Sequence, residues 1–270
     1  MVGIIGAICG DIIGSTYEFG RPKGSKIPYN FELISDKMRP TDDSVCTLAV
    51  ADWLMHTSRT KDELIDKLHY WCNKYHYGFA GMFEKWVDTK SREPYNSYGN
   101  GSAMRVSPVG WVANSEEECL ELAKLSAEVT HSHPFGISGA QCIALAIFYN
   151  RQGLSKDEII QKLDRRFGFI LTNKYKEYKA IHKFNCINQV SVPACISCWY
   201  ESDSYEDCIR KAISLSGDTD TEACIAGSIC NANPSTQIQD ELLIDILNNV
   251  TFLTDEMIDV INEFHKKYEK

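Results

Sequence analysis

Two acidic clusters stand near opposite ends of the chain, Thr41-Asp42-Asp43-Ser44 and Ser216-Gly217-Asp218-Thr219-Asp220-Thr221, and each directly precedes a helix-forming stretch. Such a pattern has an ordinary explanation: Thr41 caps a helix, and the acids complement the positive end of its dipole. The second cluster strains that explanation. Asp218 and Asp220 lie two apart in a turn, with Gly217 permitting a tight backbone, so both carboxylates can aim at one point. Carboxylates forced together repel and raise each other's pKa unless a cation lies between them. Oxygen-only donors from Asp and Thr match a hard ion, Mg²⁺ or Mn²⁺, and do not match zinc. Two clusters of this kind in one chain point to a metal site.

Three further segments carry polar groups. Asp11 and Glu18 are two helical turns apart and share a face, on a helix whose glycines at 3, 6, 10 and 14 leave a thin side. Close helix packing accounts for those glycines as well as ligand approach does. Glu18, facing a metal, is a candidate general acid/base. Tyr98-Gly99-Asn100-Gly101-Ser102-Ala103-Met104-Arg105 is a small-residue loop opening a helix, which can serve as a plain turn or offer N–H groups to an anion. His131-Ser132-His133-Pro134 closes one helix before another, where a histidine also suits the helix dipole. No serine sits on a nucleophile elbow, so a catalytic triad is not indicated.

The elements that must position these residues are helices. Capping-box spacing occurs at Thr60/Glu63, Ser115/Glu118 and Ser155/Glu158. Apolar stripes follow the first and third, and Ile258, Ile261 and Phe264 form another in the tail. Further helices are predicted at about 2–19, 42–57, 79–88, 102–112, 136–150, 192–200, 204–214, 219–232 and 239–249. Gln189-Val190-Ser191-Val192 is the best strand signal. No linker is long enough to divide the chain, so residues 1–270 are expected to form a single all-α domain.

Composition narrows the function. A net charge of -9 excludes a broad nucleic-acid-binding patch, which needs clustered Lys and Arg. No apolar run approaches a membrane span, and the start lacks a basic leader, so a cytoplasmic protein is expected. The 11 cysteines sit mostly in apolar helical patterns and read as small buried hydrophobes. Cys195 and Cys198 have metal-like spacing, but no second close pair follows to complete a zinc site.

Taken in order, five segments resemble the ADP-ribosylglycohydrolase family: Gly10-Asp11-Ile12-Ile13-Gly14 with Glu18-Phe19, Thr41-Asp42-Asp43, Tyr98 to Arg105, Thr130 to Pro134, and Gly217-Asp218-Thr219-Asp220-Thr221. One departure is Ser216, where family members often carry a second glycine. The resemblance implies a compact orthogonal helical fold with a binuclear Mg²⁺ centre, Mn²⁺ being possible. It implies Thr41, Asp42, Asp43, Asp218, Asp220 and Thr221 as metal ligands and Glu18 as a mobile acid. It implies Gly99, Asn100, Gly101, Ser102, Met104 and His131 as contacts to the substrate's diphosphate and ribose. Glu18 or Asp42 is expected to move the proton. The expected substrate is an ADP-ribosylated protein or a small ADP-ribosyl conjugate, and the expected state a monomer. An arginine N-glycosidic bond is the first expectation and O-linked ADP-ribose the second. A Mg²⁺-dependent nucleotide phosphohydrolase and a non-enzymatic ADP-ribose binder remain alternatives.

Overall fold

A computed structural model describes residues 3–19, 22, 24–79, 81–169, 171 and 174–268. Among these the chain forms fifteen helices: α1 Ile5–Glu18, α2 Asp42–His56, α3 Lys61–Lys74, α4 Gly81–Asp88, α5 Gly101–Met104, α6 Ser107–Val112, α7 Glu116–Glu128, α8 Pro134–Arg151, α9 Lys156–Phe167, α10 Tyr175–Ile181, α11 Asn188–Tyr200, α12 Tyr205–Ser214, α13 Thr219–Cys230, α14 Asp240–Asn249 and α15 Asp255–Tyr268. The all-α expectation holds. One isolated antiparallel bridge, Gly99 to Ile187, joins two loops. No helix among the described residues is long and apolar enough to cross a membrane.

The centre is the pair α1 and α13. Ile5 to Ser15 of α1 and all of α13 are buried, which explains why neither has a strong polar face. They meet backbone to backbone on the thin side of α1. A Cβ on Gly10 would lie 2.2 Å from the Ala223 carbonyl oxygen, and one on Gly14 2.4 Å from that of Thr219. Around this pair, α2 packs on α3 and α8 on α7, and α12 covers α13.

Two capping boxes form as expected, at Thr60/Glu63 and Ser155/Glu158. The third is half formed. Ser115 accepts from the Glu118 N–H, but the Glu118 carboxylate turns to the backbone and side chain of Asn114. The helix predicted at 102–112 breaks into α5 and α6, because Pro108 has no N–H to give Met104. The Met104 carbonyl instead accepts from Thr47 Oγ1 and Cys224 Sγ, both at 3.4 Å. The strand signal at Gln189–Val192 is wrong: those residues begin α11, a case where a short β-branched run cannot be told from buried helix. The helix α10 has no counterpart among the predicted elements. The predicted first helix begins at residue 2, which lies outside the described residues. All the cysteines are unpaired thiols, and every one except Cys186 is buried.

A polar knot ties α2, α3 and α15 together. Asp52 accepts from Lys67 Nζ at 2.8 Å and Trp71 Nε1 at 2.9 Å, and contacts His56 Nδ1 at 2.8 Å. The other ring nitrogen of His56 meets Glu263 of α15 at 2.8 Å. The hydrogen bond to Asp52, and then that to Glu263, raise the His56 pKa above its ordinary value.

Two outcomes follow. Gly10→Ala should destabilise the protein by about 3 kcal/mol in urea denaturation, since a backbone carbonyl cannot move aside for a methyl group. A loss well under 1 kcal/mol would contradict the contact, roughly the level of a neutral surface change. His56, with a raised folded pKa, contributes stability that is fully present below its unfolded pKa and lost as pH rises through the folded value. The stability gap between wild type and His56→Gln should therefore be larger near about pH 5.5 than near about pH 9, and equal gaps would refute the knot's role.

Candidate functional site

Asp11 is the fully buried residue on which the site is built. Its Oδ1 accepts from Thr41 Oγ1 at 2.6 Å, and its Oδ2 from the N–H groups of Thr41 at 2.9 Å and Ser44 at 3.1 Å and from the Ser44 hydroxyl. A carboxylate of α1 thus satisfies the orphan donors at the start of α2 from another helix. Thr41 also caps α2 itself, accepting from the Asp43 N–H. The ordinary helix-start explanation is therefore true of this cluster, and it fixes where Asp42 and Asp43 point.

Across from it, the start of α13 brings in Asp218, Asp220 and Thr221. Oxygens of Asp11, Asp43 and Asp220 lie within 4.8 Å of one another, and so do oxygens of Glu18, Asp218 and Asp220. The two groups share Asp220. Thr221 Oγ1 donates to Asp43 Oδ2 at 3.2 Å, closing the ring between the clusters. Asp43 Oδ1 and Asp220 Oδ1 are buried with no hydrogen-bond partner. Burial first, and then neighbouring carboxylates, push Asp42, Asp43 and Asp220 well above the ordinary carboxylate range. Burial also pushes Glu18 up to about 7. Orphaned buried oxygens among mutually repelling acids are what a hard divalent cation would satisfy, so these residues fit one. Asp11 Oδ2 is fully engaged in holding α2, while Oδ1 accepts a single bond and stays within the acidic group.

The cluster opens onto a cleft of about 330 Å³, lined by Glu18, Asp42, Gly99 to Gly101, Met104 and His131 among others. Asn100 does more than line it: its Nδ2 donates to Asp218 Oδ2 at 2.8 Å, tying the loop to the acids. Ser102 departs from expectation. Its side chain is fully buried, donating to the Gly136 carbonyl at 2.8 Å and accepting from Asn188 Nδ2 at 3.0 Å, so the hydroxyl does not face the cleft. The remaining expected residues do come together here, Thr41 from behind α2 and the others at the wall or floor.

Sequence reasoning gave no role to Asp11, Arg105, His182 or Glu222. His182 and Glu222 form a buried hydrogen-bonded pair beneath Gly217. That pair anchors the segment whose Cys186 carbonyl accepts from Asn100 N–H at 2.8 Å. Ser216 sits at φ 66, the left-handed region that favours glycine. Its hydroxyl offsets the strain by accepting from the Ile27 N–H at 2.8 Å.

Comparison with known proteins agrees with this architecture. The chain is 25% identical to mouse ADP-ribosylhydrolase ARH3, covering 85% of this chain and 82% of the relative. The human ARH3 gives the same identity, with 85% and 83% covered. A solved structure described as an ADP-ribosylglycohydrolase-related protein complex superposes with a TM-score of 0.73 at 20% identity, covering 97% and 95% of the two chains, which supports the fold. The model of the ADP-ribosylglycohydrolase family matches residues 2–261, and this chain belongs to that family of hydrolases.

Proposed function

We propose that this chain hydrolyses the bond between ADP-ribose and its acceptor, using two Mg²⁺ ions held by Asp42, Asp43, Asp218, Asp220 and the hydroxyls of Thr41 and Thr221. The observation that carries this reading is the pair of carboxylate groups sharing Asp220, with orphaned oxygens at the floor of a substrate-sized cleft. When bound, the ions supply fixed positive charge that orients the ribose hydroxyls and polarises water.

The chain's own residues do the rest. The Gly99–Gly101 loop, Met104 and His131 hold the diphosphate and adjoining ribose. Glu18 and Asp42 are only partly buried, unlike Asp43 and Asp220, so they are the acids within reach of a reacting group. Glu18 also lines an adjoining cavity of about 830 Å³, room for a departing acceptor, and Asp42 does not. In this reading Glu18 delivers the proton to the leaving atom, supported by that placement, and Asp42 takes part in holding the metal and the water's proton. Buried carboxylates facing the anomeric carbon favour the positive charge that develops there.

One observation bears on the acceptor. Lys183 lines the second cavity, as does Lys26, whose ammonium donates to the His182 carbonyl at 2.7 Å and the Leu215 carbonyl at 3.3 Å, and Glu18 is its sole acid among the described residues. A guanidinium leaving group would meet like charge there, whereas a hydroxyl would not. This lining favours O-linked ADP-ribose over the arginine bond that the sequence suggests first.

Activity on an ADP-ribosylated protein should require Mg²⁺ and vanish with chelator. Asp218→Asn should lower kcat on the order of a hundredfold or more. Undiminished turnover in both experiments would reject the metal assignment. Free ADP-ribose should be the product; AMP or inorganic phosphate would instead identify a nucleotide phosphohydrolase. In a paired assay, serine-linked ADP-ribosyl peptide should turn over at least about tenfold faster than arginine-linked peptide, a ratio one repulsive contact can supply. The reverse ratio would restore the arginine assignment.

A further inference from the structure

Arg105 is a cation buried to 1% exposure, and no carboxylate pairs with it among the described residues. Its Nη2 donates to the Ser126 carbonyl at 2.7 Å and to Thr130 Oγ1 at 2.8 Å. Thr130 Oγ1 in turn lies 2.8 Å from His131 Nδ1. The line therefore runs from a guanidinium through one hydroxyl to the imidazole that lines the substrate cleft.

The chemistry of these groups gives the line a direction. A guanidinium can only donate, so Thr130 must accept from it. One lone pair and one hydrogen then remain on the hydroxyl to face the imidazole at 2.8 Å. A hydroxyl already accepting from a cation is a weaker acceptor and a stronger donor. Its hydrogen therefore goes to Nδ1, which accepts it. His131 is then a neutral ring with its hydrogen on Nε2. Burial first, and then the charge of Arg105, hold its pKa well below the ordinary value, which agrees with a neutral ring. Nε2 looks onto the loop: a Cβ on Gly101 would lie 3.1 Å from it.

We propose that Arg105 and Thr130 are positioning residues that fix His131 in its Nε2–H form, so that the cleft meets an anionic substrate group with a donor instead of a lone pair. The recognition half of this rests on the reading of the Gly99–Gly101 loop as the diphosphate site; the tautomer half does not. A merely structural role for Arg105, bracing the turn after α7 through Ser126, would leave the tautomer indifferent to Thr130.

Long-range ¹⁵N–¹H NMR of histidine-labelled protein, with the His131 signals assigned by their absence in His131→Asn, reads the tautomer without any ligand. Wild type should show hydrogen on Nε2 and a bare Nδ1. Thr130→Val keeps the side-chain shape and should give a mixed or inverted tautomer. ADP-ribose affinity of that variant, by calorimetry with Mg²⁺ present, should fall about tenfold or more, the size of one lost hydrogen bond to a charged group. Its KM should rise with kcat little changed, and its Mg²⁺ affinity should stay as in wild type. Thr130→Ser should restore both tautomer and affinity, and Arg105→Lys should weaken both. Hydrogen on Nδ1 in wild type, or an unaltered tautomer in Thr130→Val, overturns the relay. An Nε2–H tautomer in a wild type that does not bind ADP-ribose overturns the recognition role, and with it the assignment of the loop.

Discussion

Mutual repulsion among Glu18, Asp43, Asp218 and Asp220 is the constraint around which the rest of the structure is arranged. Three of the four are buried, and the low-dielectric surroundings that raise their pKa values also strengthen their repulsion. Such a group exists in a folded chain only if other contacts hold it and if protons or a cation relieve it. The α1–α13 contact does the holding: with Gly10 and Gly14 against carbonyl oxygens, the helix bearing Glu18 cannot back away from the one bearing Asp220. Asp11 then locks α2 against α1 with bonds to Thr41 and Ser44. A cation held by the folded cluster would not be held by the dispersed acids of an unfolded chain, so metal affinity and folding stability would be linked in this design.

The substrate cleft takes its frame from the same helix. One wall is the Gly99–Asn100 loop, tied to Asp218 by the Asn100 amide. The other is the segment after α10, joined to α13 by the His182–Glu222 pair and to the loop by the Gly99–Ile187 bridge. Both walls therefore refer to the first turn of α13, where Asp218 and Asp220 sit. A shift in that turn would move the acidic cluster and the loop wall together, which suits the proposed reaction, in which the ribose is presented to both.

What was legible in the sequence was what is local. Helix stripes, the two complete capping boxes and the acidic clusters are patterns within a few residues, and the structure reproduces them. Asp11 is visible as an acid sharing a helix face with Glu18 but not as a cap, because the N–H groups it satisfies belong to residues about thirty positions away. Ser102 sits in a motif that suggests ligand contact, yet Gly136 and Asn188, distant in sequence, claim its hydroxyl. The break between α5 and α6 was signalled by Pro108, but the partners that take over the Met104 carbonyl come from α2 and α13. Val190 and Val192 misled because burial in a helix and burial in a strand select the same residue types.

Helix start and candidate metal site are compatible explanations of the acidic clusters, because the first leaves the carboxylates free for the second. A helix N-terminus carries partial positive charge and unsatisfied N–H groups, and both favour ionised carboxylates. At α2 the capping is done by Thr41 and Asp11, so Asp42 and Asp43 in the first turn gain the dipole's support without being consumed by the backbone. At α13 the cap position is Asp218, and its side chain makes no capping bond. It is held instead by Asn100, leaving it aimed toward Asp220 and Glu18. Two N-termini converging on one point oppose the burial that drives these acids toward protonation. That support works against burial and mutual repulsion, both of which push these acids toward protonation, and so favours the ionised form a hard cation requires.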